Sequence, residues 1–177
     1  MEVTFCWLGS VYESDGSRRA RSSPLELIDL PIPEPGKREF LIPVEVCGIC
    51  RTDPHVVEGD LPPHKERVVP GQEVVGHVER VGPEATRFRA GEGVGAAWLR
   101  ASCGVCPYYR RGDENLCVAP RFTGYDVDGG YAEFMTAPED FIYTIGIITS
   151  GEAEFPLPGH VTSWLCPVSN EDLFEAR

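Results

Sequence analysis

The sequence predicts a mainly β domain with short helices, of the barrel or sandwich kind rather than a helical bundle. Sixteen prolines and nineteen glycines stand as turn punctuation between short apolar runs along the 177 residues. Those runs are rich in residues that fit a pleated, half-buried surface. No run of about 18 apolar residues occurs, so no membrane span is expected.

The elements follow in order. Residues 25–30 read as a short strand, broken by Pro31-Ile32-Pro33-Glu34-Pro35-Gly36. Residues 40–46 form the next strand, ended by Cys47-Gly48. Residues 51–58 allow about two turns of helix, closed by Gly59. Residues 73–81 carry Val74, Val75, Val78 and Val81 with polar residues between, which reads as one strand. Residues 91–98 are another, where Gly93 and Gly95 mark a bulge or a close backbone approach. Residues 131–137 follow the Asp128-Gly129-Gly130 turn as a strand, and residues 141–148 are the last apolar run. Between them, residues 102–122 form a lobe with little apolar periodicity. It buries too little to order itself. The expected organisation is one domain over 1–145 and a poorly specified tail over 146–177. The opening ten residues are an apolar patch carrying Glu2 rather than a basic flank, so no signal peptide is expected.

A net charge of -12 argues against a nucleic-acid partner, because phosphate contacts need clustered Lys and Arg. The composition, 42% hydrophobic and 25% charged, is that of a soluble globular protein, and with no secretion signal a cytoplasmic location is expected. Seven cysteines are an odd number, and five of them sit in two tight clusters. With no secretion signal, such clusters favour metal over a disulfide framework.

The first cluster brings Cys50, Thr52 and His55 together within six positions, with Gln72-Glu73 farther on. A catalytic zinc needs about three ligands from Cys, His or carboxylate, plus one open position. Cys50 and Glu73 supply two candidates, and Thr52 and His55 a proton path. On spacing alone, a buried thiol, a surface carboxylate and a solvated histidine explain the same residues. The second cluster is Cys103-Gly104-Val105-Cys106 followed by Cys117. A C-x2-C hook lets both thiolates reach one tetrahedral ion.

Several ordered motifs together carry a resemblance. The segment from Cys47 to Asp53, with His55, Glu58, Gly59 and Asp60, resembles the zinc-ligand segment of the zinc-dependent, medium-chain alcohol dehydrogenases. Pro70-Gly71-Gln72-Glu73-Val74-Val75-Gly76 with Gly82 is similar to that family's Gly-His-Glu-x-x-Gly-x5-Gly signature. Asp128-Gly129-Gly130-Tyr131-Ala132-Glu133-Phe134 is similar to its later Asp-Gly-Gly-Tyr-Ala-Glu stretch. The resemblance implies a GroES-like, partly open β-barrel. It also implies alcohol to aldehyde or ketone interconversion, with hydride passing to NAD(P). Carried over, Cys50 is the thiolate of the catalytic zinc and Glu73 its nearby carboxylate. Thr52 accepts the alcohol proton, His55 passes it on, and Arg51 sits near the cofactor phosphates. The lobe matches the family's structural zinc site, C-x2-C-x2-C-x7-C.

Two positions depart from the pattern. Gln72 stands where the signature has His, and an amide oxygen suits hard cations better than zinc. Cys166, in the tail, is the one remaining candidate for the third catalytic ligand. Weak or absent zinc is therefore expected at the Cys50, Gln72, Glu73 site. In the lobe, Tyr109 replaces a cysteine. Cys103, Cys106 and Cys117 then hold zinc with a water or a carboxylate such as Asp113 or Glu114. Alternatively the lobe is metal-free, with reduced thiols or a Cys103–Cys106 disulfide.

No strand, Gly-x-Gly-x-x-Gly turn and helix occurs, so no Rossmann domain is expected. Gly91-Glu92-Gly93-Val94-Gly95 lies between predicted strands and opens no helix. The chain therefore reads as the first portion of such an enzyme, inactive alone or dependent on a partner chain or self-association. Two alternatives stand beside it. One is a non-catalytic GroES-like binding module. The other is a zinc-free quinone reductase of the same superfamily, against which Cys50, Thr52 and His55 argue.

Overall fold

The computed structural model describes the backbone of residues 2–9 and residues 25–145 apart from 63 and 66. Its strands are β1 (Glu2–Gly9), β2 (Glu26–Pro31), β3 (Glu39–Gly48), β4 (Arg67–Val68), β5 (Glu73–His77) and β6 (Arg80–Val81). They continue with β7 (Gly93–Ala96), β8 (Leu99–Ala101), β9 (Arg121–Phe122), β10 (Phe134–Pro138) and β11 (Ile142–Thr144). Two short helices are α1 (Thr52–Val57) and α2 (Pro107–Arg110). The mainly β expectation with short helices holds.

The principal sheet runs β10-β3-β5-β7-β11, with β6 also on β3. All its pairings are antiparallel, and its two end strands are not joined to each other among the described residues. This is the partly open barrel. Strand β3 is its spine: Phe40 and Ile42 enter the main core, and Leu41 between them is equally buried. A strand buried on both faces reads as a continuous apolar run, which Phe40-Leu41-Ile42 is. Val69, Val74, Val78, Val94, Met135 and Ile142 fill the interior around it. Burying each such side chain contributes roughly 1.5–3 kcal/mol.

Several expected bounds change. The single strand over 73–81 is two, because the chain changes partner at Val78. There the Val78 N–H donates to Glu92 and the Glu79 N–H to Leu41, at 2.9 Å each. The bend keeps Val78 in the core while β6 moves onto Phe40 and Leu41. The strand expected from 131 begins at Phe134. Ahead of it, the N–H groups of Gly129, Gly130 and Tyr131 zip onto the carbonyls of Val69, Gly71 and Pro70. A Cβ on Gly129 would lie 2.0 Å from the Gly71 carbonyl oxygen, so only glycine admits this approach. The opening patch, with no element expected, is β1, paired with β2 and with β4. Residues 146–148 of the last expected strand, and the tail, lie outside the described residues.

The lobe is ordered at its base by β8 against β9, which register Leu99 with Phe122 and Ala101 with Arg121. Phe122 stacks on Trp98 with ring centroids 4.5 Å apart. A second apolar cluster of Val56, Val68 and Tyr125 ties helix α1 to this base.

Candidate metal centre

Strand β3 delivers Cys47 and then Cys50 to the start of α1. Helix α1 has no side-chain cap at Arg51. Its first N–H groups turn to Cys50 instead: Thr52 N–H donates to the Cys50 sulfur at 3.2 Å and Asp53 N–H to the Cys50 carbonyl at 3.2 Å. The sulfur thus takes an orphan helix donor. Asp53, buried, accepts the Cys50 N–H at 2.8 Å. The Tyr131 hydroxyl and the Gly71 N–H also lie close enough to favour its charged form. Burial raises the Asp53 carboxyl above its usual range, against the opposing pull of these donors. Beneath it, burial pushes the Cys47 thiol up, and that thiol donates to the Gly48 carbonyl at 3.8 Å. Burial, then the Asp53 charge, also raises the Tyr131 phenol. Cys47 is therefore a thiol that packs, and Cys50 is the half-buried sulfur that meets Thr52 and Gln72.

The Cys47, Asp53 and Tyr131 knot holds Cys50 in place, and the sequence reading assigned it no role. A signal for it was present: an acidic residue in the first turn of a helix, three positions after a cysteine, can bond back to that cysteine's N–H.

Gln72, 5% exposed, reaches across from the residue before β5, and its Nε2 donates to the Cys50 sulfur. Gln72 Oε1 is buried with no hydrogen-bond partner among the described residues. Turning the amide over would orphan the N–H end instead. An orphaned buried acceptor costs about 1–3 kcal/mol unless a cation or donor meets it. Glu73, half-buried, opens β5 opposite Gly48. Among the described residues it does not join Cys50 in any three-donor group. Cys166 lies outside the described residues. One soft sulfur and one hard amide oxygen fall short of the three donors a catalytic zinc takes. The described residues do not fit that ion by themselves.

Helix α1 places Thr52 and His55 one turn apart. Thr52 is half-buried beside Cys50. The His55 side chain is 41% exposed, with Nδ1 2.8 Å from the Asp60 carboxylate. Arg51 is exposed.

The lobe is different. Cys103, Cys106 and Cys117 place their sulfurs within 4.8 Å of one another. Backbone N–H groups point at every one. Cys103 donates to Cys117 at 3.1 Å, Cys106 to Cys103 at 3.3 Å, Tyr109 to Cys106 at 3.4 Å and Ala119 to Cys117 at 3.4 Å. Such donors favour thiolates. The Tyr109 N–H, then the Val118 N–H, push Cys106 down to about 6, whereas Cys117 is raised: the Cys103 N–H pulls it down, but burial and the neighbouring Cys103 and Cys106 thiols outweigh that. In number and closeness these three thiols fit a zinc that takes one further ligand. None of the described cysteines is in a disulfide, Cys103 and Cys106 included.

An open antiparallel barrel carrying a lobe of three clustered thiols, with a further cysteine just past its central strand, is a domain of the GroES-like class. Residues 36–147 match the alcohol dehydrogenase GroES-like domain, and the chain belongs to that N-terminal part of the zinc-type, medium-chain alcohol dehydrogenase family. The chain is 54% identical over 127 residues to "Probable alcohol dehydrogenase AdhA" of Mycobacterium tuberculosis, covering 69% of this chain and 37% of that protein. A cobalt- and zinc-bound thermostable alcohol dehydrogenase from Pyrobaculum aerophilum superposes with a TM-score of 0.70 at 26% identity, over 87% of this chain and 43% of that one. Acetophenone reductase from Geotrichum candidum in complex with NAD gives 0.68 at 25% identity, over 86% and 42%. The chain thus spans little more than a third of the curated relative's length. No described helix is long and apolar enough to cross a membrane.

Proposed function

We propose that this chain supplies the substrate side of an NAD(P)-dependent alcohol dehydrogenase, interconverting a small alcohol with its aldehyde or ketone. The nucleotide domain it needs lies outside the described residues or on a partner chain, and without that domain it does not turn over. The observation that carries this reading is the meeting of Cys50, Thr52 and Gln72, 22 positions apart at the extremes, at the ends of β3 and β5.

In this reading Thr52 takes the proton of the alcohol and hands it to His55, whose exposed ring releases it to water. A bound nicotinamide would supply the hydride acceptor. Arg51, exposed at the head of α1, is the cation for the cofactor phosphates. No step is assigned to a catalytic zinc, since the described donors do not fit one. Cys103, Cys106 and Cys117 would hold a structural zinc, which ties the ends of the lobe together. Free thiols at all five described cysteines suit a cytoplasmic location.

The test is alcohol-dependent reduction of NAD+ or NADP+, with nicotinamide binding followed by calorimetry, on the chain alone and with a nucleotide-binding partner. The chain alone should bind no nicotinamide. The pair should turn over, and Thr52→Ala should slow it by roughly 10²- to 10⁴-fold. A second reading, a non-catalytic binding module, is favoured by the Gln72 amide that already satisfies the Cys50 sulfur. Turnover by no pairing, even with Gln72→His, would select it.

A further inference from the structure

We propose that the metal of the lobe is held by three protein thiolates only, and that its fourth coordination position is open to solvent and takes an exogenous soft ligand, a small thiol above all. This rests on the reading that the lobe binds zinc.

Three observations on the fourth position carry it. The residue standing there is Tyr109, whose contribution to the cluster is its backbone N–H, given to the Cys106 sulfur at 3.4 Å. Cys106 and Cys117 are themselves buried, while Tyr109 is 39% exposed and Val105, within the Cys103–Cys106 hook, 66% exposed, so the way to the cluster from water lies on the Cys103, Val105 and Tyr109 side. Among the described residues no imidazole or carboxylate joins the three sulfurs within 4.8 Å. The two nearest acids in sequence do not supply the ligand. Asp113 pairs with Arg111 at 3.2 Å, and Glu114 opens a 3-10 turn outside the cluster.

Chemistry then decides what fills the place. Zinc prefers four ligands in a tetrahedron. Three are fixed in advance, because backbone donors already point at each sulfur. Water completes the set in plain buffer. A thiol displaces it: the water leaves, the metal–sulfur bond forms, and the thiol proton passes to the buffer. Sulfur is favoured over oxygen because a metal already held by thiolates is the softer partner. The family's four-cysteine pattern has no such vacancy.

The experiment uses the full chain loaded with Co(II), whose visible d–d spectrum reports the donor set and its geometry. 2-Mercaptoethanol is added in steps to the wild-type chain and to Tyr109→Cys and Cys103→Ser. The expected result is a saturable change of the wild-type spectrum with one thiol per metal. It should end at the spectrum that Tyr109→Cys shows before any thiol is added, and Tyr109→Cys should not respond further. Cys103→Ser should lose the lobe spectrum. If cobalt binds the lobe and the wild-type spectrum ignores the thiol, a protein group fills the fourth place and the proposal fails while the zinc reading stands. If no lobe spectrum appears in wild type, the zinc reading itself fails and takes the proposal with it.

Discussion

Replacing Gln72 by His puts an imidazole nitrogen where an amide now meets the Cys50 sulfur. The side chains are of similar size, so the 5% exposed position can take the change without a large cavity or overpacking. Without metal, the variant also removes a buried carbonyl oxygen that has no described partner. That orphan costs about 1–3 kcal/mol, so the apo variant should be no less stable than wild type. The larger effect is on metal. Loss of an outer-shell partner alone lowers metal affinity by roughly 10- to 100-fold. Restoring a ligand should recover at least that, about 1.4–2.8 kcal/mol. Elemental analysis and chelator competition on the full chain test this. Wild type should carry about one zinc, in the lobe, and Gln72→His should bind a further zinc more tightly than wild type does, short of a full second equivalent because Cys50 and the new imidazole would still be two donors of the three a catalytic zinc takes. An unchanged ratio and affinity in a folded variant would refute the reasoning. Cys50 and residue 72 would then not be two arms of one metal site.

Other perturbations follow from the same structure. Cys103→Ser, or a strong chelator, should remove the lobe metal and lower Tm, because a structural ion contributes its binding free energy to folding; unchanged Tm on chelation would mean the lobe orders itself. Glu139, buried, accepts the Thr86 and Arg87 N–H groups at 2.7 and 3.0 Å and pairs with Arg38 at 2.9 Å. Those backbone bonds first, then the arginine charges, hold its carboxyl below the usual range. A depressed folded value means stability fully present above the unfolded value and lost as pH falls through the folded one. Glu139→Gln, which keeps one acceptor oxygen but loses the charge facing Arg38, should cost roughly 1–3 kcal/mol near pH 7, seen as a lower urea midpoint. The gap should close in acid, and a gap independent of pH would count against the account. Gly130→Ala should destabilise by at least about 1–3 kcal/mol. Its new Cβ would lie 2.1 Å from Val74 Cγ2 and 3.0 Å from the Cys47 sulfur. Urea unfolding at neutral pH reads it, and a neutral result would mean that β5 moves freely there.

The sequence by itself determined the class of the fold and most of its strands. Apolar runs such as Phe40-Leu41-Ile42 and Val74-Val75 are local signals, and the Pro and Gly breaks between them are too. It also put the chemistry on offer in view: the C-x2-C hook of the lobe by its spacing, and Cys50, Gln72 and Glu73 through the family motifs they resemble. Only the tertiary structure decided which of them meet. It joins Cys50 to Gln72 across two strands, leaves Glu73 out of any three-donor group with Cys50, and gathers the lobe sulfurs over a base clamped by β8 and β9. It also revealed β1, the break at Val78, and the buried Asp53 and Tyr131 under Cys50. The physical reason is the range of the forces. Strand propensity and turns act over a few residues. Strand partners, zipped loops and the placing of a buried carboxylate depend on groups tens of positions away, whose proximity no local pattern records.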